Sequence, residues 1–573
     1  MLRITYAQLN LTVGDVEGNV ERMIQAAAKA AGDQSDVVVF PELALTGYYP
    51  GDLLEERGFL DRVDAGIGAL REASKRFAKL HWIVGLPLER GGPGKKLHNA
   101  LLVLKDGQWE REYAKQLLPT YNIFDEHRHF EPGPDRACVL NVGGTRVGLL
   151  ICEDGWNDGG RDYAVNPFKR LADAAPDLVI SINASPSNIG KREQRHGVIG
   201  GASNVHKLPI LYVNQVGGHD QLVYDGGSFA VEPRHPSGAA TYNIAFEAKR
   251  FEEDVRTLVF ENGKFYSLDG GRPQSVPTEG LATMEFYRRQ IVLGLRDYAR
   301  RCGFAKAVVG CSGGIDSALT LALAVEALGA QNVAAITMPS KFSSTGSVTD
   351  SEALCANLGI ELVTHPIKDV VDTFAGGFGA AFGTELKGLP LENLQARARG
   401  TILMEYSNAF GHLLLTTGNK SEISVGYCTL YGDTNGGLGL IGDLYKTEVF
   451  ELCRHINATA GREVIPVAII DKPPSAELAP DQKDTDSLPP YDLLDDILRV
   501  FIEGARLAHA EGEQAELTVN ELRQTEEGRR LLTRVRTLIA RSEYKRRQAP
   551  PILRLRARAF GSGRQMPIAA KVD

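Results

Sequence analysis

Short runs of β-branched and aliphatic residues, each about the length of one buried strand, recur along this chain and are separated by stretches with helical periodicity. In the first half the runs fall at residues 2–9, 37–40, 82–84, 101–104, 147–152, 178–182 and 210–214, with helical spacing most evident over 19–31 and 59–80. That alternation predicts an α/β unit built on strands buried on both faces. It restarts after a helix-like stretch at 283–302, with strands at 306–309, 333–338, 362–366 and 412–416 and helices at 317–328, 350–358 and 394–410. The second half therefore predicts a second, doubly wound parallel sheet.

Between the halves lies a softer stretch with Gly263, Gly270, Gly271, Pro273, Pro277 and Gly280, the composition of a linker or exposed hairpin. The expected division is a first domain over 1–262, a linker over 263–281 and a second domain over 282–573. Two further segments, 374–390 and 471–490, read as mobile loops, the first rich in Gly and Ala and the second in Pro.

Composition narrows the function classes. Hydrophobic residues at 43% and charged residues at 24% describe a globular protein, not a disordered one. The apolar runs are too short for a membrane span, and the N-terminal stretch lacks the apolar core of a secretory signal, so a cytoplasmic location is expected. Seven scattered cysteines without a Cys-x-x-Cys pair give no disulfide framework or zinc ribbon. A net charge of −8 argues against nucleic acid as the main partner.

Three residue types stand at the ends of strand-like runs in the first half. Glu42 follows the run 37–40, Cys152 ends the run 147–152, and Lys115 follows another β-like stretch. A thiol, a carboxylate and an ammonium gathered there can serve as nucleophile, general base and oxyanion stabiliser in acyl transfer from an amide. The base is needed because a free thiol, with a pKa of about 8.5, is mostly protonated near neutrality. Singly, each has a plainer reading: a small buried hydrophobe, a helix-end charge, a solvated lysine.

Read in their local strings, Phe40-Pro41-Glu42-Leu43-Ala44-Leu45-Thr46-Gly47-Tyr48, Tyr113-Ala114-Lys115 and Ile151-Cys152-Glu153-Asp154, the three resemble the carbon–nitrogen hydrolase (nitrilase) superfamily. The resemblance implies a nitrilase-like α/β sandwich in which Glu42 is the base, Lys115 stabilises the oxyanion and Cys152 forms the acyl-enzyme. It also implies that Tyr121, Ser185 and Lys191 hold a glutamine substrate. Where such relatives usually carry an aromatic residue and a His-Arg pair, this chain has Ser187, Asn188 and Ile189.

In the second half, Val308-Val309-Gly310-Cys311-Ser312-Gly313-Gly314-Ile315-Asp316-Ser317 joins a buried strand to a helix. Consecutive amides and a helix N-terminus make such a turn a phosphate site. No Gly-Lys-Ser/Thr follows, so it is not a Walker loop, and the Gly-x-Gly-x-x-Gly fingerprint is absent. Standing alone, the string is also compatible with a tight turn capped by Ser312.

The string resembles the pyrophosphate loop of the N-type ATP pyrophosphatases. Four further strings, 392–397, 416–422, 427–433 and 472–478, are similar to those of the NAD+ synthetases, and the order of the two halves resembles the glutamine-dependent branch of that family. By this resemblance the second domain has a Rossmann-like, adenine-nucleotide α-hydrolase fold and the enzyme is a ligase that completes NAD+ biosynthesis. Gly310, Cys311, Ser312, Gly313, Gly314, Ile315, Asp316, Ser317 and Thr417 would bind ATP. Asn393, Glu422 and Lys545 would contact deamido-NAD+, Lys446 a phosphate, and Asp316 with Glu422 would hold Mg2+, which prefers hard oxygen ligands.

The tail 541–564 carries eight basic residues and one acid, Glu543. Its Glu543-Tyr544-Lys545-Arg546-Arg547-Gln548 string resembles the synthetase tail and favours a phosphorylated small molecule, while Arg554, Arg556 and Arg558 read as an exposed basic strand. The expected partners are glutamine, ATP and deamido-NAD+, with a homo-oligomer as the working assembly. Two other readings stay open here: another glutamine-fed pyrophosphatase, and a nucleotide-binding module without catalysis.

Overall fold

The computed structural model describes residues 1–233, 242–273, 281–479, 482–507 and 509–570. The chain divides into two compact units, 1–217 with 223–280 and 218–222 with 281–573.

The first unit is a sandwich of two sheets. One has seven strands in the order Lys264–Tyr266, Asp254–Glu261, Leu2–Gln8, Val37–Val39, His81–Glu89, Leu97–Lys105 and Gln108–Ala114. The other has six, in the order Asn243–Glu247, Phe229–Glu232, Ile210–Asn214, Leu178–Asn183, Thr145–Ile151 and Val139–Val142. Side-chain alternation along each strand builds the core between them: Ile4, Tyr6, Val37, Val39 and Ile83 from one sheet meet Val147, Leu149, Ile180, Ile182 and Tyr212 from the other. The opposite face of the first sheet is covered by helices. In Val16–Gly32, Val16, Val20, Met23, Ala27 and Ala30 form one buried stripe, and the Asp15 carboxylate caps the helix by accepting from Gly18 N at 3.1 Å.

The central strands of both sheets run parallel, Leu2–Gln8 with Val37–Val39 and His81–Glu89, and Thr145–Ile151 with Leu178–Asn183 and Ile210–Asn214. Their carboxyl ends are where Glu42, Cys152 and Ser185 leave the sheets. The seven runs expected in this half are strands, and helices Val16–Gly32 and Arg57–Lys75 contain most of both helical stretches.

The second unit is built on five parallel strands in the order Leu362–Thr364, Val333–Thr337, Lys306–Gly310, His412–Thr416 and Leu438–Gly439. The chain winds outward in both directions from Lys306–Gly310. The switch point therefore lies between that strand and His412–Thr416, and ligands bind at the carboxyl ends of such strands. Helix Ile315–Leu328 is apolar around most of its circumference and correspondingly buried, with Leu319, Leu321, Leu323 and Ala324 fully enclosed.

Several expectations change. Residues 374–390 are not a loop: helices Lys368–Phe382 and Leu389–Phe410 leave only six residues between them. Phe374, Phe378 and Phe382 recur at helical spacing and alanines favour the helix, which the glycines weaken without breaking; Gly383, at φ 66°, ends it in the left-handed conformation. The segment 471–490 has little regular structure but is tied down, its Lys472 ammonium donating to Ser347 Oγ at 2.6 Å; residues 480 and 481 lie outside the described residues.

Within the expected linker, Lys264–Tyr266 pairs with Asp254–Glu261 as a hairpin, and residues 274–280 lie outside the described residues. Arg554 and Arg556 are not an exposed basic strand. Arg556 is fully buried and donates to Glu448 at 2.5 Å, Glu503 at 2.7 Å, Glu511 at 2.8 Å and Tyr287 Oη at 2.7 Å. A guanidinium survives burial only when paired in this way. Among the described residues no helix is long and apolar enough to cross a membrane.

Candidate active sites

In the first unit, Lys115 and Glu42 are fully buried and in contact, with Lys115 Nζ donating to Glu42 Oε1 at 2.7 Å. The same ammonium donates to Glu126 Oε1 at 2.7 Å, so one cation lies between two carboxylates. Asn99 Nδ2 bridges the same pair, at 2.8 Å from Glu42 and 3.1 Å from Glu126, and Tyr48 Oη donates to Glu126 at 2.7 Å. The backbone N–H of Ala184, at the end of Leu178–Asn183, donates to Glu42 Oε2 at 3.0 Å. Glu42 is thereby fixed by groups from both sheets of the sandwich.

Cys152 closes this cluster. It follows Thr145–Ile151 in the left-handed backbone region, at φ 41°, where a non-glycine residue is uncommon. Burial pushes its thiol well above the ordinary range, and Glu42, Glu153 and Glu126 push the same way against the opposing charge of Lys115. The resting thiol is protonated and needs a base. Burial works against the Lys115 charge, but Glu126 and Glu42 outweigh it and hold the ammonium ionised.

Of the residues expected to hold glutamine, Tyr121 and Lys191 lie near Glu153, and Ser185 is held by Arg195. Tyr121 Oη donates to Glu153 at 3.1 and 3.2 Å, and Tyr163 Oη at 2.9 Å. The Lys191 ammonium lies 4.0 Å over the Trp156 ring. Ser185 Oγ accepts from Arg195 Nε at 3.1 Å, and Arg195 is itself paired with Asp225 at 2.7 Å. Asp154 anchors the loop after Lys115, accepting from Gln116 N at 3.0 Å, Leu117 N at 2.9 Å and Tyr113 Oη at 2.7 Å.

In the second unit a cavity of about 550 Å3 opens at the switch point. Gly310, Cys311, Ser312, Gly314, Ile315, Asp316, Ser317, Asn393, Thr417, Glu422, Lys446 and Lys545 all line it. Gly313 lies beneath: at φ 73°, a Cβ there would stand 2.3 Å from the Ser347 carbonyl oxygen, so only glycine lets the loop pack against helix Thr345–Leu358.

Lys446 joins the acidic residues of the cavity. Its Nζ donates to Asp316 Oδ2 at 2.5 Å and to Glu422 Oε1 at 3.2 Å. Asn419 holds both carboxylates from the other side: its Nδ2 donates to Asp316 Oδ1 at 2.8 Å and its backbone N–H to Glu422 Oε2 at 3.3 Å, while its Oδ1 caps the helix Lys420–Val425 by accepting from Glu422 N at 3.0 Å. Burial raises Glu422 to about 8, with Asp316 and Asp484 adding to the rise and Lys446 opposing it. Both carboxylates converge on the Lys446 ammonium, and carboxylate oxygens are the donor type that a small divalent ion prefers. Asn393 Oδ1 accepts from Thr429 Oγ1 at 2.8 Å, and Lys545 Nζ donates to the Gly426 and Cys428 carbonyls at 2.8 and 2.7 Å.

Sequence reasoning missed Glu126, Asn99, Asn419 and Asp484. Glu126 sits eleven residues after Lys115 in a charged stretch where nothing distinguishes it from Asp125. Asn419 was recognisable, because Asn three residues before Glu is a capping-box spacing. Asp484, which accepts from Tyr427 Oη at 3.2 Å and Tyr491 Oη at 2.8 Å, reaches the cavity only through the fold.

Comparison with known proteins matches residues 3–236 to the carbon-nitrogen hydrolase family and residues 287–549 to the NAD synthase family. The glutamine-dependent NAD(+) synthetase of Synechocystis sp. is 42% identical over 99% of both chains, and that of Thermotoga maritima is 38% identical over 99% of this chain and 98% of its own. The solved structure of the glutamine-dependent NAD+ synthetase from Acinetobacter baumannii, in complex with adenosine diphosphate, is 35% identical with a TM-score of 0.75, covering 99% of this chain and 98% of that one. The structure from Cytophaga hutchinsonii, at 20% identity and a TM-score of 0.80 over the same shares, shows the same fold.

Proposed function

The chain belongs to the glutamine-dependent NAD(+) synthetase family, and from that premise we propose how its residues divide the work. It is an ATP-dependent ligase that takes nitrogen from glutamine and uses it to amidate deamido-NAD+. The glutaminase domain is assigned to 1–262 and the synthetase domain to 282–573, joined through 263–281.

At the first site Cys152 attacks the side-chain amide of glutamine and passes its proton to Glu42. The Lys115 ammonium stabilises the developing oxyanion, which matters because the surroundings are dry and the cation is already in place. Glu42 returns the thiol proton to the amide nitrogen as the carbon–nitrogen bond breaks and ammonia leaves. The regenerated carboxylate then takes a proton from water, which attacks the thioester and releases glutamate, the proton going back to the Cys152 sulfur. Glu126 holds Lys115 in register, and Tyr121, Ser185 and Lys191 hold the glutamine.

At the second site the nicotinate carboxylate of deamido-NAD+ attacks the α-phosphate of ATP. Pyrophosphate leaves, and ammonia displaces AMP from the adenylate to give NAD+. Activation is required because a carboxylate is a poor electrophile and hydroxide a poor leaving group. The loop from Gly310 to Ser317, with Thr417, cradles the phosphates through its amides. Lys446 offers a cation to phosphate oxygens, and Asn393, Glu422 and Lys545 contact deamido-NAD+. Asp316 and Glu422 would hold Mg2+, which neutralises phosphate charge when bound.

This reading is supported by two clusters of different chemistry in one chain: a buried Lys115 between Glu42 and Glu126 beside Cys152, and a glycine-rich strand-to-helix loop opening on a cavity of about 550 Å3. The test supplies ATP, magnesium, deamido-NAD+ and glutamine and looks for NAD+, AMP and glutamate in equal amounts. Formation of ADP, or of no NAD+, would overturn it. We further propose a cytoplasmic homo-oligomer, in line with the closed symmetric assemblies common among soluble enzymes and checked by light scattering.

A further inference from the structure

The cavity residues Glu422 and Lys446 come from two different helices, Lys420–Val425 and Lys446–Ala460. Their relative placement decides whether a carboxylate and an ammonium face the same ligand. A third element, helix Tyr491–Leu498, lies beside both and carries Asp495, which is fully buried.

Each oxygen of Asp495 has a separate job. Oδ1 accepts from Ser421 Oγ at 2.5 Å, and Ser421 is the residue immediately before Glu422. Oδ2 accepts from the Thr447 N–H at 2.9 Å, immediately after Lys446. The Ser421 hydroxyl in turn accepts from the Lys446 N–H at 2.9 Å. One carboxylate and one hydroxyl thus satisfy two N–H groups in the first turn of Lys446–Ala460, groups that no carbonyl inside that helix can reach. The negative charge also complements the positive end of the helix dipole.

The surroundings leave Asp495 little freedom. Arg499 lies close enough to act on its charge and donates to Asp496 at 3.1 Å and to Thr447 Oγ1 at 3.3 Å. Asp495 does not line the cavity, so it cannot act by touching substrate.

We propose that Asp495 is a positioning residue for the ATP-dependent half-reaction: working through Ser421, it clamps the helix bearing Glu422 to the helix bearing Lys446 and sets the distance between those two groups. The inference rests on the reading of the cavity as the adenylation site. Displacing a reacting group by about 1 Å can cost on the order of 100-fold in rate, so the clamp should appear in kcat.

The experiment uses the full-length chain and free ammonia as nitrogen donor, which bypasses Cys152. Asp495→Asn and Ser421→Ala are each expected to lower kcat for NAD+ formation by about 10- to 100-fold, with the KM for ATP changing much less. Because the two residues act through one chain of hydrogen bonds, the double variant should be no slower than the worse single variant. If Asp495→Asn fails to fold, as circular dichroism and thermal melting would show, Ser421→Ala alone carries the kcat test. Folded single variants with wild-type kcat, or effects that multiply in the double variant, would overturn the clamp. Glu422→Gln and Lys446→Met separate the two levels: if both retain full activity, the reading of the cavity fails, whereas if both are inactive and Asp495→Asn is normal, only the clamp fails.

Discussion

The ammonium of Lys446 stands 2.5 Å from Asp316 Oδ2, so the residue at the start of one helix neutralises a carboxylate in the first turn of another, across the mouth of the phosphate loop. The pair keeps Asp316 aimed into the cavity and holds a cation where phosphate oxygens would approach. Glu422 shares the same ammonium at 3.2 Å.

Asp316→Asn is therefore expected to lower ammonia-dependent NAD+ formation by about 100-fold or more, because one change removes a phosphate-neutralising ligand and leaves Lys446 partly unpaired. Glutamate release at Cys152 should persist. Unchanged synthesis in a folded Asp316→Asn enzyme would refute this role.

Cys152→Ala should abolish glutamine-dependent synthesis and leave the ammonia-dependent reaction intact. Glu126→Gln keeps the shape but removes one of the two charges on Lys115, and glutamine turnover should fall by about 10- to 100-fold. Comparing glutamine and ammonium chloride as nitrogen donors checks both. A Cys152→Ala enzyme that still consumes glutamine would show that the nucleophile lies elsewhere.

The acid side of the stability profile should depend on His196. Burial, with Arg192, Arg195 and Arg250 nearby, lowers this imidazole to about 3, and its ring packs edge-on against Phe229 with centroids 4.6 Å apart. The unfolded chain takes up a proton near pH 6.5 and the folded chain does not. Stability contributed by neutral His196 is present above about pH 6.5 and is lost as pH falls toward 3. In urea unfolding at pH 7 and pH 5, His196→Gln should show a smaller acid-induced drop than the unaltered protein. Equal drops would exclude His196 as a source of acid sensitivity.

Arg556→Leu should destabilise the second unit by about 3 to 5 kcal/mol, since it takes from the buried Glu448 carboxylate its ion-pair partner and leaves buried Glu503 with Lys420, at 3.1 Å, as its remaining cation. Thermal melting followed by NAD+ formation after heat challenge would read this. A variant as stable as the original would mean that the carboxylates are neutral without Arg556.

Much of the fold was legible because strand and helix periodicity is local. The runs 37–40 and 147–152 announced buried strands, and their ends marked Glu42 and Cys152. The edge strands Val139–Val142 and Asn243–Glu247 were not legible, because an edge strand is only half covered and its pattern is diluted by polar residues. The stretch 374–382 misled because Gly and Ala read as loop, while the spacing of its three phenylalanines was the better guide.

What the sequence determined by itself was chemistry carried by contiguous strings: a thiol, a base and an ammonium at strand ends, a glycine loop fit for phosphate, and the order of two α/β units. Only the tertiary structure decided which charges share a partner. Lys115 between Glu42 and Glu126, Lys446 between Asp316 and Glu422, and Arg556 among three glutamates each join residues from 11 to 130 positions apart. Periodicity reports which side of an element faces inward. The cost of burying a charge is met by whichever opposite charge the packing of distant elements brings within about 3 Å, and no local pattern encodes that choice.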